Sequence, residues 1–221
     1  MKRKIPYQLR YSRRVKRLRL EVVPGEVRVT VPEGTDISII DEFVSNRENW
    51  IADKLADFAL ISSPSVPDEC TDGSEISVFG ERVILRLTEV EEFVLHNGVL
   101  YGFLSHGESL TRSVSNWLDG HLLGFVNEKV KKYSRLGLVP SRIRLGNAGT
   151  RWGSCSPRGV IMINRKLVHA PPDVVEYVVV HELVHLRHRN HSRLFWDSVE
   201  KVSNDVKSSR RWLRLHGAFL L

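Results

Sequence analysis

The 221-residue sequence predicts an α+β protein, with a β-rich N-terminal region containing one helix over residues 1–105 and a mainly helical part over residues 106–221. Three observations carry this. Apolar and polar residues alternate through residues 18–31, turn signals recur through the first hundred residues, and a 3.6-residue apolar period sets in near Glu108 and returns ahead of His181. With 42% hydrophobic and 27% charged residues, the chain can bury a core.

Leu18, Leu20 and Val22 alternate with Arg17, Arg19 and Glu21, as in a half-buried strand. A turn at Pro24-Gly25 leads to a second strand with Val27, Val29 and Val31 on one face. From a cap at Thr35 or Asp36, apolar residues at Ile37, Ile40, Phe43, Val44, Ile51, Leu55 and Phe58 predict one helix to about residue 60, with Trp50 and Ile51 pressing on the hairpin. Residues 62–73 are a loop. Strands resume with turns at Gly80 and Asn97-Gly98. A long helix starts near Glu108, carrying Leu110, Val114, Trp117, Leu118, His121, Leu122, Phe125 and Val126 on one stripe. Residues 141–167 read as short antiparallel strands, the next helix runs to about Arg189, and a last one runs from Phe195 to about Lys207 or on to Leu215.

The net charge of +7 is concentrated at one end. Residues 1–20 hold nine of the 33 Lys and Arg and no acid, leaving 24 bases against 26 acids in the rest. Such a run can contact nucleic acid or a nucleotide, but a solvated strand face is the favoured reading. No eighteen-residue apolar run occurs and no apolar stretch follows the basic start, so a cytoplasmic chain without a membrane span is expected. Cys70 and Cys155 are expected to be reduced and independent.

"VVVHELVHLRHRNHS" (178–192) carries the chemistry. On a helix, His181 and His185 stand one above the other and can meet one ion, while Glu182 lies one residue round, placed to reach water at an open coordination position. Catalytic zinc usually takes three protein ligands, and three along one straight helix cannot surround an ion. His191 can complete the set if Asn190 takes the left-handed conformation and turns the chain, leaving His188 beside the site. Asp197 and Glu200 on the following helix are the alternative third ligands. Two histidines and a glutamate within so apolar a helix would be costly without a purpose. The expected cofactor is one Zn2+ per chain, although imidazoles also suit nickel or cobalt.

The segment 151–196, with W-G-S-C-S, H-E-L-x-H-L and N-H-S-x-x-F-W, resembles the YgjP-like metal-dependent hydrolases, and the likeness extends to residues 11–34 and 43–51. The resemblance implies a zincin-like catalytic domain over 106–221 with an H-E-x-x-H active-site helix, His181, His185 and His191 at metal positions, and Glu182 as the catalytic glutamate. The H-E-x-x-H-x-x-x-x-x-H spacing is shared with metzincins, but His188 stands where they have glycine, and both methionines, Met1 and Met162, precede the helix. Cys155 lacks the strand-to-helix setting of a nucleophile and is expected to pack near the metal. Residues 159–167 are expected to lie at a sheet edge where an extended peptide could add, with Arg151 and Asn164 as substrate contacts.

The leading function is a zinc-dependent hydrolase of a peptide or small-molecule substrate, foremost a peptidase that cleaves an amide bond with metal-activated water and Glu182 as general base. A metal-dependent nucleotide or phosphate-ester hydrolase is the alternative. A nucleic-acid-binding module with a structural zinc is disfavoured, since structural sites are closed and usually have four ligands.

Overall fold

The computed structural model describes residues 5–59, 66–89, 92–103, 109–203 and 205–220, without the side chains of residues 57–59 and 218. Lys2, Arg3 and Lys4 of the basic run, the Phe58 side chain, loop residues 62–65, the 105/106 boundary and the helix start near Glu108 lie outside them. The architecture is mixed α+β, with three small sheets and six α-helices among the described residues. The chain divides into two compact units, Met1–Ser63 and Pro64–Leu221.

In the first unit, β3 (Glu26–Val31) pairs parallel with β1 (Gln8–Tyr11) and antiparallel with β2 (Arg19–Val23). The β2–β3 hairpin turns at Pro24-Gly25, where Gly25 takes φ 73°. The inward side chains Val27, Val29 and Val31 form the core with Ile40, Val44 and Ile51. β1 precedes every strand expected from the alternation pattern. The single helix expected up to residue 60 is two: α1 (Ile37–Ser45), capped by the Asp36 carboxylate on Ser38 N–H, and α2 (Glu48–Ala59). Asn46 ends α1 by donating its N–H to Glu42 and Val44 carbonyls, and α2 restarts with Ile51 N–H on Arg47 O. Ile51 is fully buried, whereas Trp50 is 46% exposed and does not share its role. In the turns beside the sheet, Arg13 pairs with Glu33 in solvent, and on β3 Arg28 pairs with a half-buried Glu26.

The second unit starts with the sheet order β4-β5-β7-β6, from β4 (Glu75–Val78), β5 (Glu81–Leu87), β6 (Val94–His96) and β7 (Val99–Gly102). Its two tight turns, Phe79-Gly80 (φ 48° and 82°) and Asn97-Gly98 (φ 49° and 75°), have the paired positive φ of type I′ hairpins. This sheet joins the later helices, which is why the compact division falls before it and not at residue 105. Phe79 N–H donates to Val168 O at 2.6 Å, His169 Nδ1 meets Ser77 O at 2.6 Å, and Ile76, Val78, Val83, Leu85 and Leu100 share one core with Val174 and Val178. The long helix α3 (Leu110–Ser134) buries the expected stripe of Leu110, Val114, Leu118, Leu122 and Val126.

Next come β8 (Arg142–Gly146), β9 (Gly153–Cys155) and β10 (Val160–Asn164), a 3₁₀ turn over Arg165–His169, α4 (Pro172–Val184), α5 (Arg193–Val202) and α6 (Val206–Leu220). The expectation of antiparallel strands here holds only for β9, since β8 pairs with β10 in parallel. β10 is also the central strand, bonded on both sides, so the expected edge is not there. β9 is the edge instead. The last helix is likewise two, α5 and α6. No helix of the described residues is long and apolar enough to cross a membrane.

Candidate metal centre

Two prolines and five valines set the position of α4. Pro171 and Pro172 open it, where a missing N–H costs nothing, and Val174, Val175, Val178, Val179 and Val180 sink it into the core. Within that apolar surround α4 carries His181 and Glu182, and His185 sits at its C-cap. The helix ends at Val184, earlier than the expected Arg189, by tightening: Leu186 and Arg187 N–H groups bond to the carbonyls three residues back, Leu183 and Val184. Asn190 does not take a positive φ. The chain is turned back by this tightened end and by residues 188–192, so His191 returns to the helix by a different route from the one expected.

His181, His185 and His191 each offer a ring nitrogen, and these atoms lie within 4.8 Å of one another. His181 Nε2 and His191 Nε2 are 3.0 Å apart, close to the roughly 3.3 Å between two nitrogens bound tetrahedrally at about 2.0–2.1 Å from one zinc ion. His185 Nδ1–H donates to the His188 carbonyl at 2.9 Å, leaving its Nε2 as the lone-pair nitrogen. His188 thus touches the centre through its backbone, while its ring stands 3.3 Å from Ser198 Oγ. One proton could bridge His181 and His191 but would leave the His185 nitrogen unmatched. A divalent cation suits all three.

Electrostatics point the same way. Burial, then the neighbouring His185 and His191, press the His181 pKa down to about 3, keeping the imidazole in the neutral form that ligates metals. Burial also lowers His185. Glu182 is 5% exposed, and burial raises its pKa to about 7 against the opposing pull of Arg151. His181 Nδ1 and Glu182 Oε2 are buried with no hydrogen-bond partner among the described residues, so the protein alone leaves this polar cluster unsatisfied.

Three residues that sequence reasoning did not single out shape the centre. The fully buried Phe195 ring lies 4.8, 4.6 and 4.7 Å, centroid to centroid, from His181, His185 and His191, so one aromatic ring packs against all three imidazoles. Trp196 stacks on His191 at 5.7 Å and carries the Arg210 guanidinium 4.6 Å above its ring. Gly153 faces Glu182 so closely that a Cβ there would lie 2.6 Å from Oε1. The F-W pair after N-H-S and the glycine of W-G-S-C-S were visible signals, but neither residue type announces a metal.

Of the expected substrate contacts, Arg151 lines a cavity with His181 and Glu182. Asn164 does not. It is fully buried, its Nδ2 donates to Ala148 O at 2.7 Å and Arg151 O at 3.0 Å, and its Oδ1 accepts from Lys166 N–H. With its amide hydrogens spent, Asn164 holds the backbone that carries Arg151 and has no face for a substrate. Asp197 is paired with Arg193 and, like Glu200, stands outside the histidine cluster. Both cysteines are free thiols, and Cys155 lines the cleft with the three histidines. Burial raises its pKa, which disfavours the thiolate a nucleophile needs.

The family model of the YgjP-like metallopeptidase domain matches residues 16–216. The chain belongs to the YgjP-like family. No curated protein matches it. Membership covers both compact units and agrees with the likeness read from 151–196, and a metallopeptidase family implies a divalent cation.

Proposed function

We propose that this YgjP-like protein is a zinc-dependent peptidase, with His181, His185 and His191 as the metal ligands on a zincin-like scaffold and Glu182 as the general base. The convergence of three imidazoles beside a buried carboxylate carries the reading. A divalent cation held there polarises a scissile carbonyl and acidifies water.

Glu182 supplies the proton transfers. Its raised pKa near 7 suits a group that takes a proton from water and returns it to the leaving amine at neutral pH. The Gly153 backbone and the burial of Glu182 restrict that carboxylate to one place.

β9 supplies the rail for an extended peptide. Trp152 O accepts from Asn164 N–H and Ser156 N–H donates to Val160 O, so in this antiparallel register the backbone groups of Gly153 and Cys155 point away from β10, toward the open edge. Gly153, Ser154 and Cys155 line the same cleft as the histidines. A peptide added to that edge lies across the metal ligands.

The deciding experiment uses Glu182→Gln. Stoichiometric zinc with turnover lost supports the assignment; undiminished turnover overturns it. A panel of peptides, casein and nucleoside triphosphates separates peptidase from phosphohydrolase, since the latter would release phosphate or pyrophosphate and leave peptides intact.

A further inference from the structure

A second cavity adjoins the histidine cleft and shares Gly153, His181 and Glu182 with it. It measures about 250 Å³, and beyond those three shared residues it is lined by Trp152, Tyr177, Val178 and Leu213, with Arg151. That is less than the roughly 300–1,000 Å³ of pockets that enclose a whole drug-sized ligand, and it suits one side chain. The walls are apolar and firmly held. Tyr177 and Val178 belong to buried turns of α4, and Gly217 of α6 lies so near the Trp152 indole that a Cβ there would be 3.6 Å from its Cζ2.

Arg151 is the one formal cation lining this cavity. Its backbone carbonyl is clamped by Asn164, and its exposed guanidinium, which draws on the Glu182 carboxylate only through space, makes no hydrogen bond or ion pair among the described residues. An anchored arginine with an uncommitted planar fork is suited to a carboxylate.

Strand direction says which carboxylate. β9 runs from Gly153 to Cys155, and antiparallel pairing, the more stable kind per residue, lays an added peptide with its C-terminal side toward Gly153, Trp152 and Arg151. The residue on the leaving-amine side of the scissile bond then meets this cavity.

We propose that the cavity receives the C-terminal residue of a peptide, with a large apolar or aromatic side chain inside and its free α-carboxylate on Arg151, so that the enzyme removes single residues from peptide C-termini. This rests on the peptidase reading above. One water is consumed: the amide C–N bond breaks, the carbonyl carbon takes the hydroxyl, and the leaving nitrogen takes the proton carried by Glu182.

The test compares, on the full zinc-loaded chain, an N-acylated peptide ending in phenylalanine with its C-terminal amide and with an amide bearing glutamate at that position. The free acid should have a kcat/KM at least about 10-fold above the amide, with the difference in KM and abolished by Arg151→Gln. Leu213→Trp, which fills the cavity, should slow the phenylalanine substrate more than one ending in alanine. Equal cleavage of acid and amide overturns the proposal, and so does a glutamate-bearing amide cut as fast as the free acid, which would assign Arg151 to an acidic side chain. Binding separates this proposal from the peptidase reading. Calorimetry on Glu182→Gln should show N-acetylphenylalanine bound at least about 10-fold more tightly than its amide, again dependent on Arg151. That result without hydrolysis of any peptide sinks the peptidase assignment and leaves the pocket standing; hydrolysis without that preference does the reverse.

Discussion

Gly153 lies so close to Glu182 that an added Cβ would meet Oε1 at 2.6 Å, Cγ at 2.7 Å and Cδ at 2.9 Å. The edge strand and the carboxylate occupy adjoining space that only a missing side chain leaves open. Gly153→Ala must therefore displace Glu182, and a displacement near 1 Å at reacting groups costs about 100-fold in rate. The expected result is kcat lowered to that extent with zinc content unchanged; wild-type kcat in a zinc-loaded variant would show that Glu182 needs no such fixed position.

Phe195 backs all three imidazoles, so its shape should matter to the metal more than to the fold. Phe195→Leu keeps an apolar side chain at the site but gives up the aromatic ring that packs against the imidazoles. Zinc affinity should fall about 10-fold or more, in line with the usual effect of groups that orient ligands, while thermal melting remains cooperative. Competition with a chromogenic chelator reads the affinity, and an unchanged value would reduce Phe195 to ordinary core packing.

Asn164 is buried with both amide hydrogens donated to carbonyls. Asn164→Ala strands the Ala148 and Arg151 carbonyls, at a cost of about 1–3 kcal/mol for a buried group left unsatisfied. Denaturant melts should show that loss, and Arg151-dependent binding should weaken with it. A variant as stable as wild type would mean that the loop finds other partners.

Burial lowers the pKa of His121, His169 and His216, all away from the metal ligands. A depressed histidine is neutral in the fold but takes up a proton when unfolded, so the unfolded chain binds more protons below the ordinary value of about 6.5. Stability is then full above that pH and declines as pH falls through it toward the folded values. His181 and His185, lowered as well, act in the same direction where no metal holds them, whereas Glu182, raised to about 7, works in the opposite direction. The melting temperature should drop between pH 7.5 and 5.5, and His169→Gln, which can still donate to Ser77 O, should flatten the slope. A melting temperature that rises on acidification contradicts this account.

The separate parts of the centre were legible in the sequence because they are local. H-E-x-x-H on an apolar helix places two imidazoles and a carboxylate by periodicity alone, and the Asn97-Gly98 turn and the stripe from Leu110 to Val126 follow from equally short-range rules. Interruptions decided by a residue or two were harder to see. Asn46 splits the first helix, and α4 closes at Val184 through tightened hydrogen bonds that periodicity does not register.

By itself, then, the sequence determined the α+β class, the family likeness and the cluster of histidines about Glu182, because each depends on neighbours within a few turns of chain. Tertiary structure alone decided that β9 and not β10 is the edge, that Asn164 is spent inside, that Phe195 backs the imidazoles and that Arg151 stands uncommitted beside an apolar cavity. Those outcomes depend on which distant segments meet, and strand order and side-chain contact carry no period along the chain.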